Sequence, residues 1–393
     1  MEPLHIRAIT LVSALGRGMA ATAAALRAEK SVLVPCAFDG LTLDTHIGVV
    51  AGLEQVPVLS RLHAHDCRNN RLAQMALQTD DFEARVQDAI GRYGAWRIAT
   101  IIGTTSSGIQ EAEHAYAGRH SEVEGLDPSF SFEYSQSHFS VTAFVREYLG
   151  LRGPAYTVST ACSSSNKVFA DARQLIAAGA CDAVVVGGVD SLCWMSLCGF
   201  NSLQLLSRGP CRPNDANRDG LSIGEAAGFA LLERESTAGS GVKLLGCGES
   251  CDAHHMSAPH PEGLGAIAAM RGALDHAGLE PADIDYINLH GTGTPANDRA
   301  EDVAVGKLFG PGKLCSSTKG GTGHTLGAAG MTEVAISYLC LSEQFVPGNL
   351  NLTQTDPEFR MQLVVRTRPA KLSAVLTNSF GFGGSNCALV LGR

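Results

Sequence analysis

Three observations predict an α/β fold. Short apolar, strand-like runs alternate with helix-like stretches. The runs are apolar nearly throughout rather than at every second position. One pattern, a strand running into a Gly/Thr loop, occurs twice. Strands of this kind are buried on both faces, which requires a sheet covered by helices on each side. The chain has 393 residues, enough for two domains, and 45% hydrophobic against 18% charged residues marks a well-packed globular protein.

In chain order, Leu72 to Gln78 gives the first helical stretch. Arg97-Ile98-Ala99-Thr100-Ile101-Ile102-Gly103-Thr104-Thr105 is an apolar strand entering a Gly/Thr loop. Val141 to Tyr148 is helical. After a further strand-like segment, Asn166 to Gly179 places Val168, Ala172, Leu175 and Ile176 at helical spacing, with Gly179 as a stop. Ala183 to Asp190 is a strand. Gly265 to His276 is a helix, and Ile284 to Thr294 repeats the strand-and-loop pattern of residues 97–105. Met331 to Leu341 is a helix, and Ala374 to Gly381 closes the second half much as Ala183 to Asp190 closes the first. The repeat predicts two related halves, 1–235 and 236–393, changing over near Glu233-Arg234-Glu235-Ser236. No long linker separates them, so they are expected to pack tightly.

Charge and cysteine content narrow the function. A net charge of −9 argues against general binding of nucleic acid or anionic membranes; an acidic partner would need a local basic patch. The twelve cysteines form no CxxC pair and no zinc-ligand pattern, so no metal site is expected. No apolar run reaches membrane-spanning length, and Met1-Glu2-Pro3-Leu4-His5 lacks the basic start and apolar core of a secretory leader. A reduced, cytoplasmic enzyme is expected.

Four clusters carry chemistry. Cys162, in Val158-Ser159-Thr160-Ala161-Cys162-Ser163-Ser164-Ser165, falls between a strand and a helix. At a helix N-terminus it would meet free N–H groups and the positive end of the helix dipole, which lower a thiol's pKa and can hold an oxyanion. The competing reading is a small core cysteine. His290, in Asn288-Leu289-His290-Gly291-Thr292-Gly293-Thr294, is presented at a strand end; alone it could equally cap a turn. Lys319, His324 and Glu333 surround a small-residue helix start in Ser316 to Glu333, which lacks the GxxxxGK[ST] of a P-loop; tight packing with a plain Lys319–Glu333 ion pair is the alternative. Asn378-Ser379-Phe380-Gly381-Phe382-Gly383-Gly384-Ser385-Asn386 reads as a mobile loop with an apolar plug, or as a tight turn between strands. One cysteine and two strand-end histidines point to acyl chemistry. A thiolate holds an acyl group as a thioester, and neutral imidazoles donate to a thioester carbonyl. This set suits decarboxylative carbon–carbon bond formation better than hydrolysis.

Six motifs resemble the elongating, Cys-His-His β-ketoacyl-acyl-carrier-protein synthases over nearly the whole chain. Thr160-Ala161-Cys162-Ser163-Ser164 resembles the nucleophile motif. His290-Gly291-Thr292-Gly293-Thr294 and Lys319 to Gly330 resemble the two histidine motifs, and Asn378 to Asn386 the gating loop. Arg212-Pro213-Asn214-Asp215 through Arg218-Asp219-Gly220 to Gly224-Glu225-Ala226, with Asp252-Ala253-His254-His255-Met256, resembles structural motifs. The resemblance implies a thiolase-like fold, two similar α/β halves in a layered αβαβα core, and ping-pong Claisen condensation without a cofactor beyond carrier-protein phosphopantetheine. It implies that Cys162 takes the acyl chain, and that His290 and His324 hold the malonyl thioester carbonyl. It further implies an oxyanion hole of the Cys162 and Phe382 N–H groups. Lys319 would orient the site with Glu333 as partner, Phe380 would support it, and Gly381, Phe382, Gly383 and Gly384 would gate it. Ser106 stands where many relatives carry an aliphatic residue lining the acyl pocket of the partner subunit.

Departures from the pattern are Asn214 in place of an aromatic, a short Leu206 to Cys211 loop, and His65-Asp66-Cys67-Arg68-Asn69-Asn70-Arg71-Leu72-Ala73. The last resembles ketosynthases of bacterial aryl-polyene clusters. There the catalytic subunit can pair with a cysteine-less chain-length partner, so heterodimer competes with homodimer. Arg61, Arg68, Arg71 and Arg208 are the candidate basic patch for an acyl carrier protein. Two alternatives share the fold: a thiolase, which needs a second catalytic cysteine where only Cys387 is available, and a non-catalytic chain-length subunit, which would lack the nucleophile.

Overall fold

The computed structural model describes residues 2–119, 125–234 and 241–393. The expected changeover at 235/236 falls outside them. Ten core strands carry the architecture: β1 (Leu4–Ser13), β2 (Ile98–Gly103), β3 (Ala155–Val158), β4 (Ala183–Asp190), β5 (Ala226–Glu233), β6 (Lys243–Cys251), β7 (Tyr286–Asn288), β8 (Leu314–Ser316), β9 (Ala374–Gly381) and β10 (Ser385–Gly392). The main helices are α1 (Arg68–Leu77), α2 (Phe82–Tyr93), α3 (Phe139–Leu149), α4 (Ser164–Ala177), α5 (Leu264–Ala277), α6 (Pro295–Phe309) and α7 (Ala329–Glu343).

The strands form two arrays with one topology. In the first, β3, β2 and β4 are parallel, β5 is antiparallel to β4, and β1 antiparallel to β5. In the second, β8, β7 and β9 are parallel, β10 is antiparallel to β9, and β6 antiparallel to β10. The arrays meet where β1 and β6 pair at Leu4↔Leu244 and His5↔Lys243. The two segment pairs singled out in the sequence, β2 with β7 and β4 with β9, hold equivalent places.

The all-apolar strands are explained by what covers each face. On β4, Val184 and Val186 face a central core with α4 and α7, while Val185 and Val189 face an outer core with α1, α2 and α3. On β9, Val375 joins the central core, whereas Ala374 and Leu376 join the outer core of α5 and α6. Three helical layers enclosing two sheet layers therefore give the αβαβα arrangement, with α4 and α7 in the middle. Their starts meet closely: the Met331 N–H donates to Ser165 Oγ at 2.9 Å. A Cβ at Gly330 would lie 2.5 Å from Asn166 Oδ1, so only glycine lets the two helices approach.

Candidate active site

The starts of α4 and α7 bring the candidate residues together. Cys162 lies two residues before α4, reached through Ala161 at φ +52°, a left-handed conformation costly for alanine. That turn projects the side chain off the end of the helix into a cavity of about 230 Å³. The cavity is lined by Cys162, His290, His324, Phe380, Phe382 and the surrounding loops. His324 Nε2 is 3.1 Å from Cys162 Sγ, and the two imidazole rings stand 5.3 Å apart and nearly perpendicular, at 86°.

Hydrogen bonds set the tautomers. The Leu326 N–H donates to His324 Nδ1 at 3.1 Å, and the Lys319 ammonium lies 3.3 Å from His290 Nδ1. Both Nδ1 atoms are therefore acceptors, and both rings carry their proton on Nε2. Burial, reinforced by the Lys319 charge, holds both histidines well below the usual range, so both are neutral donors. The Cys162, His290 and His324 ligand atoms lie within 4.8 Å of one another. With Nε2 protonated and an ammonium alongside, the cluster is better matched to a carbonyl oxygen than to a cation.

Lys319 is itself held, forming a buried ion pair with Glu333 and donating to the His290 carbonyl at 2.5 Å. Ser379 Oγ donates to the other Glu333 oxygen at 3.2 Å. Burial raises Glu333 to about 7 against the opposing pull of Lys319.

One expectation needs correction. The helix N-terminus does not give Cys162 a low pKa here. Burial pushes the thiol up to about 11, with Lys319 and the N–H groups of Phe382 and Cys162 opposing. The resting residue is a thiol, and those two N–H groups both bear on the sulfur. Of the two readings of the glycine-rich segment, the structure takes the tight turn between strands. β9 and β10 pair from Asn378↔Ala388 to Gly381↔Ser385, leaving only Phe382–Gly384 as the turn. A Cβ at Gly381 would lie 2.8 Å from the Thr160 carbonyl, so this hairpin presses on the nucleophile loop. Phe382 stacks on Phe200 at 5.5 Å, and Phe380 lies 6.0 Å from the His290 ring.

The remaining residues separate. Ser106 is buried outside the cavity, its N–H and Oγ both donating to Asp190. Arg68 does not belong to a surface patch: only 6% of its side chain is exposed, and it forms a two-point ion pair with the fully buried Glu225. Arg71 is neutralised by Asp66. Arg61 and Arg208 are exposed, and Arg208 follows the cavity-lining Leu205 by three residues. Cys387 is buried on β10, away from the cavity.

Three carboxylates were missed by sequence reasoning. Glu301 accepts the His290 and Gly291 N–H groups, each at 2.8 Å, and Asn378 Nδ2 at 3.0 Å. Asp298 accepts from Thr292 and Gly293. Asp190 accepts from Thr105, Ser106 and, at 2.6 Å, Gly327. A signal existed for two of them, because Asp298 and Glu301 sit three apart, on one face of the helix that follows His290.

Comparison with known proteins agrees with this geometry. Residues 73–238 match the model "Beta-ketoacyl synthase, N-terminal domain", and residues 242–353 match "Beta-ketoacyl synthase, C-terminal domain". A 3-oxoacyl-[acyl-carrier-protein] synthase 2 of Rhizobium meliloti is 43% identical over 62% of this chain and 62% of its own length. A putative polyketide beta-ketoacyl synthase 1 of Streptomyces cyaneus is 35% identical over 82% of each. A solved ketosynthase in complex with its chain length factor, from Xenorhabdus doucetiae, superposes with a TM-score of 0.90 at 39% identity. The match covers 100% of this chain and 98% of that one. No helix among the described residues is long and apolar enough to cross a membrane.

Proposed function

Because the chain belongs to the β-ketoacyl synthase family, we propose that it is a β-ketoacyl-[acyl-carrier-protein] synthase that lengthens an acyl chain by decarboxylative Claisen condensation. One observation carries the reading: two neutral imidazoles present Nε2–H donors into the cavity that holds the Cys162 thiol. In the first half-reaction, Cys162 Sγ attacks the acyl thioester of carrier-protein phosphopantetheine. The acyl–S bond to pantetheine breaks, and pantetheine leaves as the free thiol carrying the proton from Cys162. In the second, the malonyl thioester carbonyl accepts from His290 and His324. The bond to the malonyl carboxylate breaks, CO2 departs, and the electron pair forms an enolate stabilised by the two donors. Its carbon attacks the Cys162 thioester. The N–H groups of Cys162 and Phe382 hold the tetrahedral oxyanion until it collapses, breaking the acyl–S bond to Cys162 and releasing the β-ketoacyl product and a thiolate, which takes up a proton from solvent to restore the resting thiol.

The surrounding residues hold these groups in place. Lys319, fixed by Glu333, orients His290 and keeps its ring neutral; Phe382, stacked on Phe200, gates the second substrate. A thiolase reading is disfavoured because Cys387 lies on a strand. A chain-length subunit is disfavoured because nucleophile and donors are all present. Residues 1–235 and 236–393 are read as two copies of one α/β unit. We assign the protein to the branch in which a ketosynthase works with a second subunit of the same fold, and, on residues 65–73, to aryl-polyene-type elongation; Ser106 would line the acyl pocket from across that subunit contact. The test is a panel of acyl-carrier-protein thioesters followed by peptide mass analysis. An acyl adduct on Cys162 and no other cysteine is expected, and its mass gives the preferred chain. No adduct from any chain length would overturn the assignment.

A further inference from the structure

Away from the active site, the C-terminal half of α4 faces a cavity of about 550 Å³. Its walls include Ala170, Arg173 and Gln174 from α4, Cys247 and Glu249 from β6, and His276 from α5. The cavity opens beside β6 because that strand pairs with β1 only at Leu244 and Lys243 and then diverges from it. Gly248 and Gly272 lie against each other in the wall: a Cβ at Gly248 would run into the backbone of α5, so glycine lets β6 and that helix close up there.

Arg173 is the anomaly here. It is 6% exposed, yet among the described residues Nε, Nη1 and Nη2 meet no oxygen or nitrogen acceptor. A buried guanidinium presents five N–H donors, and leaving them without such acceptors is costly. The buried arginines that serve the fold are not left in this state: Arg68 meets Glu225, and Arg218 meets Asp356. The one carboxylate in the wall, Glu249, is engaged by Lys167 at 3.2 Å. The guanidinium does approach the Cys247 sulfur, by charge and as a hydrogen-bond donor, but burial pushes that thiol up to about 12, and a neutral thiol is a weak acceptor that leaves most of the fork's capacity unused. At the mouth, Gln174 and His276 are exposed and add polar groups.

We propose that this cavity is a binding site for a small oxyanion-bearing molecule, a phosphate or a carboxylate, held through two-point hydrogen bonding to the Arg173 guanidinium. A planar fork with no internal oxygen or nitrogen acceptor is built for two oxygens of one anion. The cavity is larger than one such group, so the oxyanion would be the head of a larger molecule lying toward Gln174 and His276. The site is separate from the condensation chemistry and does not rest on the functional reading above.

The experiment titrates inorganic phosphate and, separately, acetate at constant ionic strength in the low millimolar range. The full-length protein is followed by thermal unfolding and by broadening of the ³¹P or acetate methyl resonance. Cys162→Ala serves as background, so that occupancy of the active site is scored apart. A saturable response to one anion, weakened at least tenfold in Arg173→Met, supports the proposal and identifies the head group. Arg173→Lys, which keeps the charge but loses the fork, should weaken it severalfold, and it decides the matter if the methionine variant does not fold. No saturable response to either anion overturns the proposal, whether the guanidinium is then met by solvent or by a partner subunit. So does a response that both arginine variants retain.

Discussion

The two halves share a scaffold but not an assignment of chemistry. At the start of α4 the first half offers a thiol; near the start of α7 the second offers an imidazole, and the helices approach so closely there that Sγ and Nε2 are 3.1 Å apart. The loops that follow the equivalent strands β2 and β7 are fixed by one device, a buried carboxylate accepting successive backbone N–H groups. Asp190 does this for Thr105 and Ser106, and Glu301 for His290 and Gly291. In the first half the fixed loop carries no reacting group, and Asp190 spends its remaining capacity on Gly327, three residues beyond His324. In the second half the fixed loop carries His290 itself. In the proposed mechanism a repeated fold thus supplies the nucleophile from one side and the enolate-stabilising donors from the other, and the carboxylates hold the two sets in register.

The sharpest way to break the comparison is to remove the first half's contribution alone. Cys162→Ala should lower condensation by roughly 10⁴-fold or more, the scale on which deleting a covalent nucleophile acts. Release of CO2 from malonyl-carrier protein should continue, because both donors remain. Condensation assayed by product mass and decarboxylation assayed by CO2 would separate the halves; parallel loss of both would show that the thiol is needed for the enolate step.

The reciprocal change removes one donor from the second half. His290→Ala and His324→Ala should each slow decarboxylation ~100-fold, the usual consequence of losing one oxyanion donor. Self-acylation of Cys162 should survive better in His290→Ala, because only His324 touches the sulfur. A variant that decarboxylates at the parent rate would make that histidine structural.

Glu301 sharpens the comparison through pH. Burial raises its carboxyl from 4.5 to about 7, although three N–H donors oppose the rise. Between those values the folded protein holds a proton that the unfolded chain has released, so stability should fall as pH rises through this window and level off above it. Activity should move the opposite way. Protonation places an O–H where an oxygen accepts from His290 or Gly291, so kcat/KM should drop as pH falls below about 7. Glu301→Gln should flatten both profiles and reduce kcat roughly ten- to hundredfold by loosening the His290 loop. Unchanged profiles in that variant would place the titration elsewhere.

How far the sequence could be read follows from which interactions are local. Apolar runs and helical spacing are properties of neighbouring residues, and β4, β9, α4 and α7 were legible within a few residues. Cys162 and both histidines were legible because each sits in a strand-to-helix junction rich in small residues. The clamps were not, because Asp190 meets Ser106 and Gly327 from 84 and 137 positions away. The thiol's pKa was misjudged for a related reason. Its desolvation comes from the hairpin at Phe382 and the histidine loops, which the local helix start does not reveal.

Arg68 and Arg208 make the last and smallest contrast. In sequence both are arginines near motifs, suited to an acidic carrier protein. In the fold Arg68 is paired with Glu225, 157 residues away, while Arg208 is exposed on the loop beyond the cavity-lining Leu205. Arg68→Ala leaves Glu225 buried without its counter-charge, which should cost about 3–5 kcal/mol in denaturant unfolding and lower activity with every substrate alike. Arg208→Glu should leave unfolding unchanged and raise KM only for carrier-protein substrates, severalfold at low salt. The difference should shrink as salt rises, because exposed charges are screened over about 8–10 Å at physiological ionic strength. Small pantetheine thioesters should react as before. If Arg208→Glu weakened both substrate classes equally, the carrier protein would have to dock elsewhere. Arg61, exposed but donating to the Glu147 and Tyr148 carbonyls, would then be the next position to reverse.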